Sequence, residues 1–247
     1  MSHFAVIIAA AGNGTRFQSG DQKKTYATLS GQAVWKHSVS RFAGRDDVCQ
    51  ILVVVSPEDK DWFSENHREF LDKCSAVVVA GGSERYQSVE NALKQVDAKV
   101  PFVAVHDAAR PCVSESMLER VFAAARSNGN AVPAVAVSST LKRSTDGTKV
   151  DATVDRSQLY ESQTPQVFRT EELIAAYAGV GDAKPTDEAQ LMERMGHVIF
   201  LAEGCPLNRK ITSQQDMQFA EAALAVIAQS NSNPIHFDGP ISDTTTR

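Results

Sequence analysis

Phe4-Ala5-Val6-Ile7-Ile8-Ala9-Ala10-Ala11-Gly12-Asn13-Gly14-Thr15-Arg16 is the stretch that decides the fold. Its opening run, Phe4–Ala10, is apolar without alternation, as a strand buried on both faces requires. The glycines that follow let the backbone approach a ligand closely and adopt positive φ. Successive N–H groups in such a turn form a concavity for anions. Alone this is a weak signal, and three ligand classes compete for it. A dinucleotide turn, G-x-G-x-x-G, needs glycine at position 17, where the bulk of Phe17 opposes close helix–strand packing. A Walker-type loop, G-x-x-x-x-G-K-[ST], does not match. A nucleotidyltransferase loop keeps Arg16 at the phosphates and wants a second cation, and Lys23-Lys24 follow. The plain alternative is a structural turn with solvent-facing cations.

Outward from this stretch, short β-branched runs alternate with helical patterns. Ile51–Val55, Ala76–Ala80 and Phe102–Val105 read as further buried strands. Ala33–Phe42, Pro57–Leu71 and Glu84–Val96 read as helices, the last with Tyr86, Val89, Leu93 and Val96 on one face. Such alternation implies right-handed crossovers and a mainly parallel sheet between helices, an α/β fold. After a strand at Ala131–Val137, Thr140–Arg143 leads into the Asp146-Gly147 turn signal, and Lys149–Leu159 returns with little core-like character. Residues 138–160 therefore read as a β-arm, which is either an ordinary surface hairpin or a subunit contact that makes a homodimer. Helices near Thr170–Tyr177 and Thr186–Arg194, a strand at Val198–Ala202 and a helix near Ser213–Ala228, capped by Ser213, complete the chain. The expected organisation is one domain over 1–229 and a polar tail over 230–247.

The 247 residues, 43% hydrophobic and 22% charged, suffice for one α/β domain with a normal core. A net charge of −5 argues against nucleic acid as the main partner, so an anionic ligand must meet local cations. The four cysteines, Cys49, Cys74, Cys112 and Cys205, are too scattered for a zinc or redox pair and fit a reducing compartment. The N-terminus lacks a signal-peptide pattern, and no apolar run reaches membrane-spanning length. A soluble cytoplasmic protein is expected.

Two further clusters fall at predicted strand ends. Gly81-Gly82-Ser83-Glu84-Arg85 again allows close backbone approach in the crevice where open α/β sheets bind ligands, with Ser83 able to cap the next helix and Ser88 one turn further in. Val105-His106-Asp107-Ala108-Ala109-Arg110-Pro111 offers a lone carboxylate suited to Mg²⁺ and a planar fork suited to phosphate. Its bland reading is a turn in which Asp107 pairs with Arg110. His106 reads as a structural hydrogen-bonding residue. Arg156 lies on the arm, and Lys210 lies before the last helix.

In this order, Ala9–Arg16, Lys24 with Tyr26, Gly81–Arg85 with Ser88-Val89, Val105–Pro111, Thr140, Asp155-Arg156, Thr164-Pro165-Gln166, Thr186-Asp187-Glu188 and Asn208–Thr212 resemble the 2-C-methyl-D-erythritol 4-phosphate cytidylyltransferase family. The resemblance covers most of residues 4–228. It implies a Rossmann-like three-layer fold with a protruding, dimerising β-arm. The implied reaction is CMP transfer from CTP to 2-C-methyl-D-erythritol 4-phosphate, with release of diphosphate and a requirement for Mg²⁺ or another divalent cation. By position, Arg16 and Lys24 stabilise the transition state, while Arg156 and Lys210 act on the acceptor. Ala10, Ala11, Gly12, Gly14, Arg16, Lys24, Gly81, Gly82, Ser83, Ser88, Asp107 and Ala108 bind CTP. Asp107, Arg110, Thr140, Arg156, Thr164 and Lys210 meet the acceptor, Thr140 and Arg156 from a partner subunit, and Asp107 takes the metal. The family's Pro-Lys-Gln is here Lys23-Lys24-Thr25, which leaves Lys23 as an alternative to Lys24. Ribitol 5-phosphate is the alternative acceptor, and a non-catalytic nucleotide-binding protein is the alternative class.

A phosphate monoester is already ionised near neutral pH, so the acceptor needs no strong general base. The barrier is charge repulsion and charge build-up, which positioned cations relieve. Replacing Arg16 or Lys24 by alanine is therefore expected to lower kcat by about 10²–10³ with the fold intact. Steady-state turnover measured beside circular dichroism checks this, and normal turnover in both variants contradicts it.

Overall fold

The computed structural model describes residues 4–12, 23–181 and 184–232. The expectations on Gly14, Arg16 and Phe17 lie outside these residues. The first half holds β1 (Phe4–Ala9), β2 (Thr28–Leu29), β3 (Gln32–Ala33), α1 (Val34–Ser40), β4 (Val48–Val55), α2 (Lys60–Asn66), α3 (Arg68–Lys73), β5 (Ala76–Ala80), α4 (Arg85–Leu93), β6 (Phe102–Asp107) and α5 (Glu115–Asn128). The second holds β7 (Asn130–Ala136), β8 (Leu141–Arg143), β9 (Ala152–Val154), β10 (Tyr160–Ser162), β11 (Gln166–Arg169), α6 (Thr170–Ala178), α7 (Glu188–Arg194), β12 (Leu201–Glu203) and α8 (Gln214–Ser232).

The main sheet runs β10-β7-β11-β6-β1-β4-β5, with β12 beside β7. β1 pairs in parallel with both β4 and β6, and β4 with β5. The expected α/β fold with a mainly parallel sheet is what forms. β1 shows why its run is apolar throughout. Phe4, Val6 and Ile8 enter one core cluster, while Ala5 and Ile7 enter the other. β4 divides in the same way, with Ile51, Val53 and Val55 on one side and Leu52 and Val54 on the other. A strand flanked by helices on both faces has no residue to give to solvent.

Trp35 of α1, Phe63 of α2 and Met117, Leu118, Val121 and Phe122 of α5 cover the first face. Val89 and Leu93 of α4, Leu173 of α6 and Leu191 and Met192 of α7 cover the second. α8 closes a smaller cluster with Ala27, Leu29, Val34 and Ile211. From β1 the chain builds outward to β4 and β5, then returns to the other side of β1 as β6. That reversal opens a crevice at the carboxyl ends of the strands, the usual ligand position in open α/β sheets.

Several expectations need correction. The helix expected over Pro57–Leu71 is a 3₁₀ turn at Pro57–Asp59 followed by α2 and α3, which break at His67, where φ is −121°. The break lets the His67 ring pack against Trp35, Trp62 and Phe63. α5 and β11 have no counterpart in the sequence reading. α5 carries ordinary signals: Ser114 accepts from the Met117 N–H, and Gly129 ends the helix at φ +91°. β11 is short and begins with buried Gln166, so apolar periodicity does not reveal it. The late strand starts at Leu201 rather than Val198. α8 continues to Ser232. Within the expected arm, β8 and β9 form a separate antiparallel ribbon, while Tyr160 leaves it and joins the main sheet through Ala136. Asp146 accepts the Thr148 and Lys149 N–H groups, and Gly147 takes φ +73°, which makes the expected turn.

Candidate active site

A cavity of about 440 Å³ opens where β1, β4, β5 and β6 end. Ala9, Ala11 and Gly12 line it after β1, and Ser56, Pro57 and Glu58 line it after β4. Gly82, Ser83, Glu84 and Arg85 follow β5, and Asp107 and Ala109 mark the end of β6. Lys24, Thr25, Ser88 and Lys210 complete the wall. The size is in the usual range for a ligand cleft.

The double glycine is a packing requirement. A Cβ at Gly81 would sit 2.7 Å from Ser88 Oγ and 2.9 Å from Ala11 Cβ. One at Gly82 would sit 2.5 Å from Gln87 Cβ. Ser88 Oγ accepts the Gly82 N–H at 3.0 Å and donates to the Glu84 carbonyl at 3.1 Å, so the hydroxyl shapes this loop from below. Glu84, and not Ser83 as expected, caps α4, forming a reciprocal box with Gln87. Ser83 Oγ instead donates to Gln87 Oε1 at 2.6 Å.

The two candidate lysines sit differently. Lys23 Nζ donates to Ser56 Oγ at 2.5 Å and to Asp59 Oδ2 at 2.6 Å, and Asp59 also accepts the Tyr26 hydroxyl at 2.8 Å. Lys23 therefore ties its loop to the 56–59 turn, while Lys24 lines the cavity.

Asp107 is the electrostatic centre. Its carboxylate accepts Lys210 Nζ at 2.6 Å and lies 3.4 Å from Arg85 Nε and 3.8 Å from Arg110 Nε. Burial alone would raise its pKa, but Arg85 and Lys210 outweigh burial and hold it well below the usual carboxylate range. Lys210 is set in place by neighbours on both sides. Asn208 donates to the Thr164 carbonyl at 2.9 Å, and the Ile211 N–H donates to the Ala109 carbonyl at 2.8 Å. Asp216 then accepts from both the backbone and the hydroxyl of Thr212 and Ser213.

Not every expected residue reaches the wall. Ala10 and Ala108 are fully buried in the core, and their N–H groups bond to Val54 and Ala9. Here they fix the strand ends behind the wall. Arg110 donates to the Asn208 carbonyl at 2.9 Å and to the Ser162 carbonyl at 3.4 Å, so it braces Asp107 from behind. Thr164 is also behind the wall. Its hydroxyl accepts the Asp107 N–H at 3.1 Å and lies 3.1 Å from His106 Nδ1, whose Nε2 faces the Arg110 carbonyl at 3.0 Å. Nε2 carries a proton to meet the Arg110 carbonyl, and full burial, which disfavours the imidazolium, favours neutral His106 with Nδ1 accepting from Thr164. Thr140 and Arg156 are exposed on the arm, away from this wall. Sequence reasoning missed Arg85, which contacts Asp107, and Glu188, which holds Arg85 by two hydrogen bonds. Both stand inside recognised motifs, but only the fold shows that they meet.

A mainly parallel sheet with a cleft at its reversal point and a cation-ringed carboxylate on the wall is the arrangement of a ligand-binding α/β protein. The family model for "IspD: 2-C-methyl-D-erythritol 4-phosphate cytidylyltransferase" matches residues 4–226, and the chain belongs to that family of nucleotidyltransferases. A 2-C-methyl-D-erythritol 4-phosphate cytidylyltransferase of Rhodopirellula baltica is 42% identical over 232 residues, covering 89% of this chain and 94% of the relative. One from Solibacter usitatus is 36% identical, covering 89% and 95%. The crystal structure of the Thermus thermophilus enzyme superposes with a TM-score of 0.76 at 31% identity, covering 90% of this chain and 98% of that one.

Burial pushes the His106 imidazole pKa down to about 4, from an ordinary 6.5. The unfolded chain then binds this proton more readily than the folded one. The contribution of neutral His106 is full above about pH 6.5 and is lost as pH falls toward about 4. In metal-free buffer, the melting temperature of His106→Gln is expected to fall less steeply than that of the wild type across this window. Parallel curves contradict the neutral assignment.

Proposed function

We infer that this cavity transfers CMP from CTP to 2-C-methyl-D-erythritol 4-phosphate, giving 4-diphosphocytidyl-2-C-methyl-D-erythritol and diphosphate in non-mevalonate isoprenoid biosynthesis. Family membership favours this acceptor over ribitol 5-phosphate and catalysis over passive nucleotide binding. The observation that carries the site reading is the presence of Lys24, Lys210 and Arg85 around one cleft with Asp107 on its wall.

The acceptor's phosphate oxygen attacks the α-phosphorus of CTP as the bond to the bridging oxygen breaks and diphosphate leaves. Backbone at Ala11, Gly12 and Gly14 receives the triphosphate, and Arg16 and Lys24 offset its developing charge. Gly81, Gly82 and Ser83 offer their backbone to the base and ribose. Lys210 leaves Asp107 for the acceptor phosphate, with Arg156 and Thr140 contributed by the arm of a second subunit. Ala10, Ala108, Arg110, Thr164 and Ser88 hold these groups from behind.

Asp107 fits Mg²⁺ as a single hard oxygen donor held ionised at the wall. Among the described residues there is no group of three or more His, Cys, Asp and Glu to hold a metal unaided. Bound there, Mg²⁺ would supply positive charge beside the phosphates. The almost fully exposed β8–β9 ribbon supports a homodimer built through the arm. The described residues contain no helix long and apolar enough to cross a membrane, and a cytoplasmic enzyme is consistent with that.

Diphosphate release from CTP, measured with each polyol phosphate, tests this reading. Release is expected with methylerythritol phosphate and Mg²⁺, with loss on chelation and recovery on adding Mg²⁺. Release only with ribitol 5-phosphate contradicts the acceptor, and full activity in excess chelator contradicts the metal.

A further inference from the structure

Thr186-Asp187-Glu188 has no role in the chemistry described so far, yet Glu188 touches the site through one intermediary. Glu188 is 1% exposed. Its carboxylate accepts Arg85 Nη1 at 2.7 Å and Nη2 at 2.9 Å, and also the Tyr177 hydroxyl at 3.0 Å. This two-point pairing fixes the plane of the guanidinium as well as its place. With the two Nη groups turned to Glu188, the Nε edge of Arg85 faces Asp107 Oδ1 at 3.4 Å.

Glu188 is itself set firmly. Asp187 caps α7 by accepting the Gln190 N–H at 2.9 Å. Gln166 of β11 donates to Asp187 at 2.9 Å and accepts the Ala189 N–H at 3.0 Å. The sheet thus positions the first turn of α7, α7 positions Arg85, and Arg85 faces Asp107. Without Glu188, the Arg85 fork could turn both Nη groups onto Asp107 or onto a phosphate in the cavity. A buried ion pair contributes little net stability compared with apolar packing, so stability alone is a weak account of this arrangement.

We propose that Glu188 is a positioning residue for CMP transfer, turning Arg85 so that a single edge faces Asp107 and leaving Asp107 Oδ2 and Lys210 to meet the substrates. This rests on the reading of Asp107 as part of the substrate site. Supporting groups of this kind change activity by about 10–100-fold when lost.

The test is a kinetic cycle with Glu188→Gln, Arg85→Gln and the double variant, run well below each melting temperature, with Asp107→Asn alongside. Glu188→Gln is expected to lower kcat about tenfold or more, with KM values changed much less, since alignment acts in the transition state. The double variant is expected to be no slower than Arg85→Gln, because Glu188 acts through Arg85. A kcat within about twofold of wild type for Glu188→Gln overturns the proposal, as does a double variant that loses the product of the single losses. If Asp107→Asn keeps full turnover, the site reading itself fails. If only Asp107→Asn loses turnover, this inference alone fails. Should Glu188→Gln not fold, Arg85→Lys replaces it, because one ammonium cannot span both carboxylates. Slowed turnover in folded Arg85→Lys supports the proposal, and wild-type turnover overturns it.

Discussion

A buried carboxylate cannot stay ionised without compensating charge, and Asp107 carries that requirement for the whole site. It lies at the end of β6, where the sheet has just reversed direction, and is 7% exposed. Three separate parts of the chain supply its partners: Arg85 from the start of α4, Lys210 from the loop before α8, and Arg110 from the turn after β6. Holding Asp107 therefore draws the β5–α4 loop, the β6 turn and the 208–212 segment together around one cleft. Two of these cations, Arg85 and Lys210, also line the cleft.

This arrangement ties fold to chemistry through a small number of contacts. The central strands bury both faces, so their ends are rigid. Gly81 and Gly82 let the β5–α4 loop lie against Ala11 and Gln87 where a side chain would clash. Behind the wall, neutral His106, Thr164 and Arg110 complete the hydrogen bonds of the β6 turn. Lys23 fastens the lysine pair to the 56–59 turn, which leaves Lys24 to face the cleft. Lys24, Arg85 and Lys210 thus reach one cleft from three separate parts of the chain.

Much of this was legible in the sequence, for identifiable reasons. β1, β6 and the second half of β4 are buried on both faces, and that demand writes an uninterrupted apolar run into each, while β5, read as equally buried, is an edge strand with Val77 half exposed. The Gly-rich turns and Asp107 could be placed because they follow those runs directly. Other features depend on what meets across the fold. Arg85 and Glu188 are 103 positions apart, and neither spacing nor composition pairs them. Lys23 and Lys24 are adjacent and chemically identical, so only their surroundings separate anchor from wall. Thr164 and Arg110 sit in recognised motifs, yet their polar atoms point into the protein, and a linear pattern carries no sign of that direction. β11 escaped notice because its first residue is a buried glutamine whose amide is satisfied by Ser162, Asp187 and Ala189.

The central claim is that the nucleotide's phosphates enter the cleft beside Asp107 and meet cations already placed there. A crystal structure of the complex with CTP tests this most directly. The account predicts the triphosphate against the Gly12 backbone and Lys24 Nζ, with the ribose side facing Gly82 and Asp107. A nucleotide bound elsewhere on the sheet, or one in the cleft with Lys24 turned away from its phosphates, would contradict it.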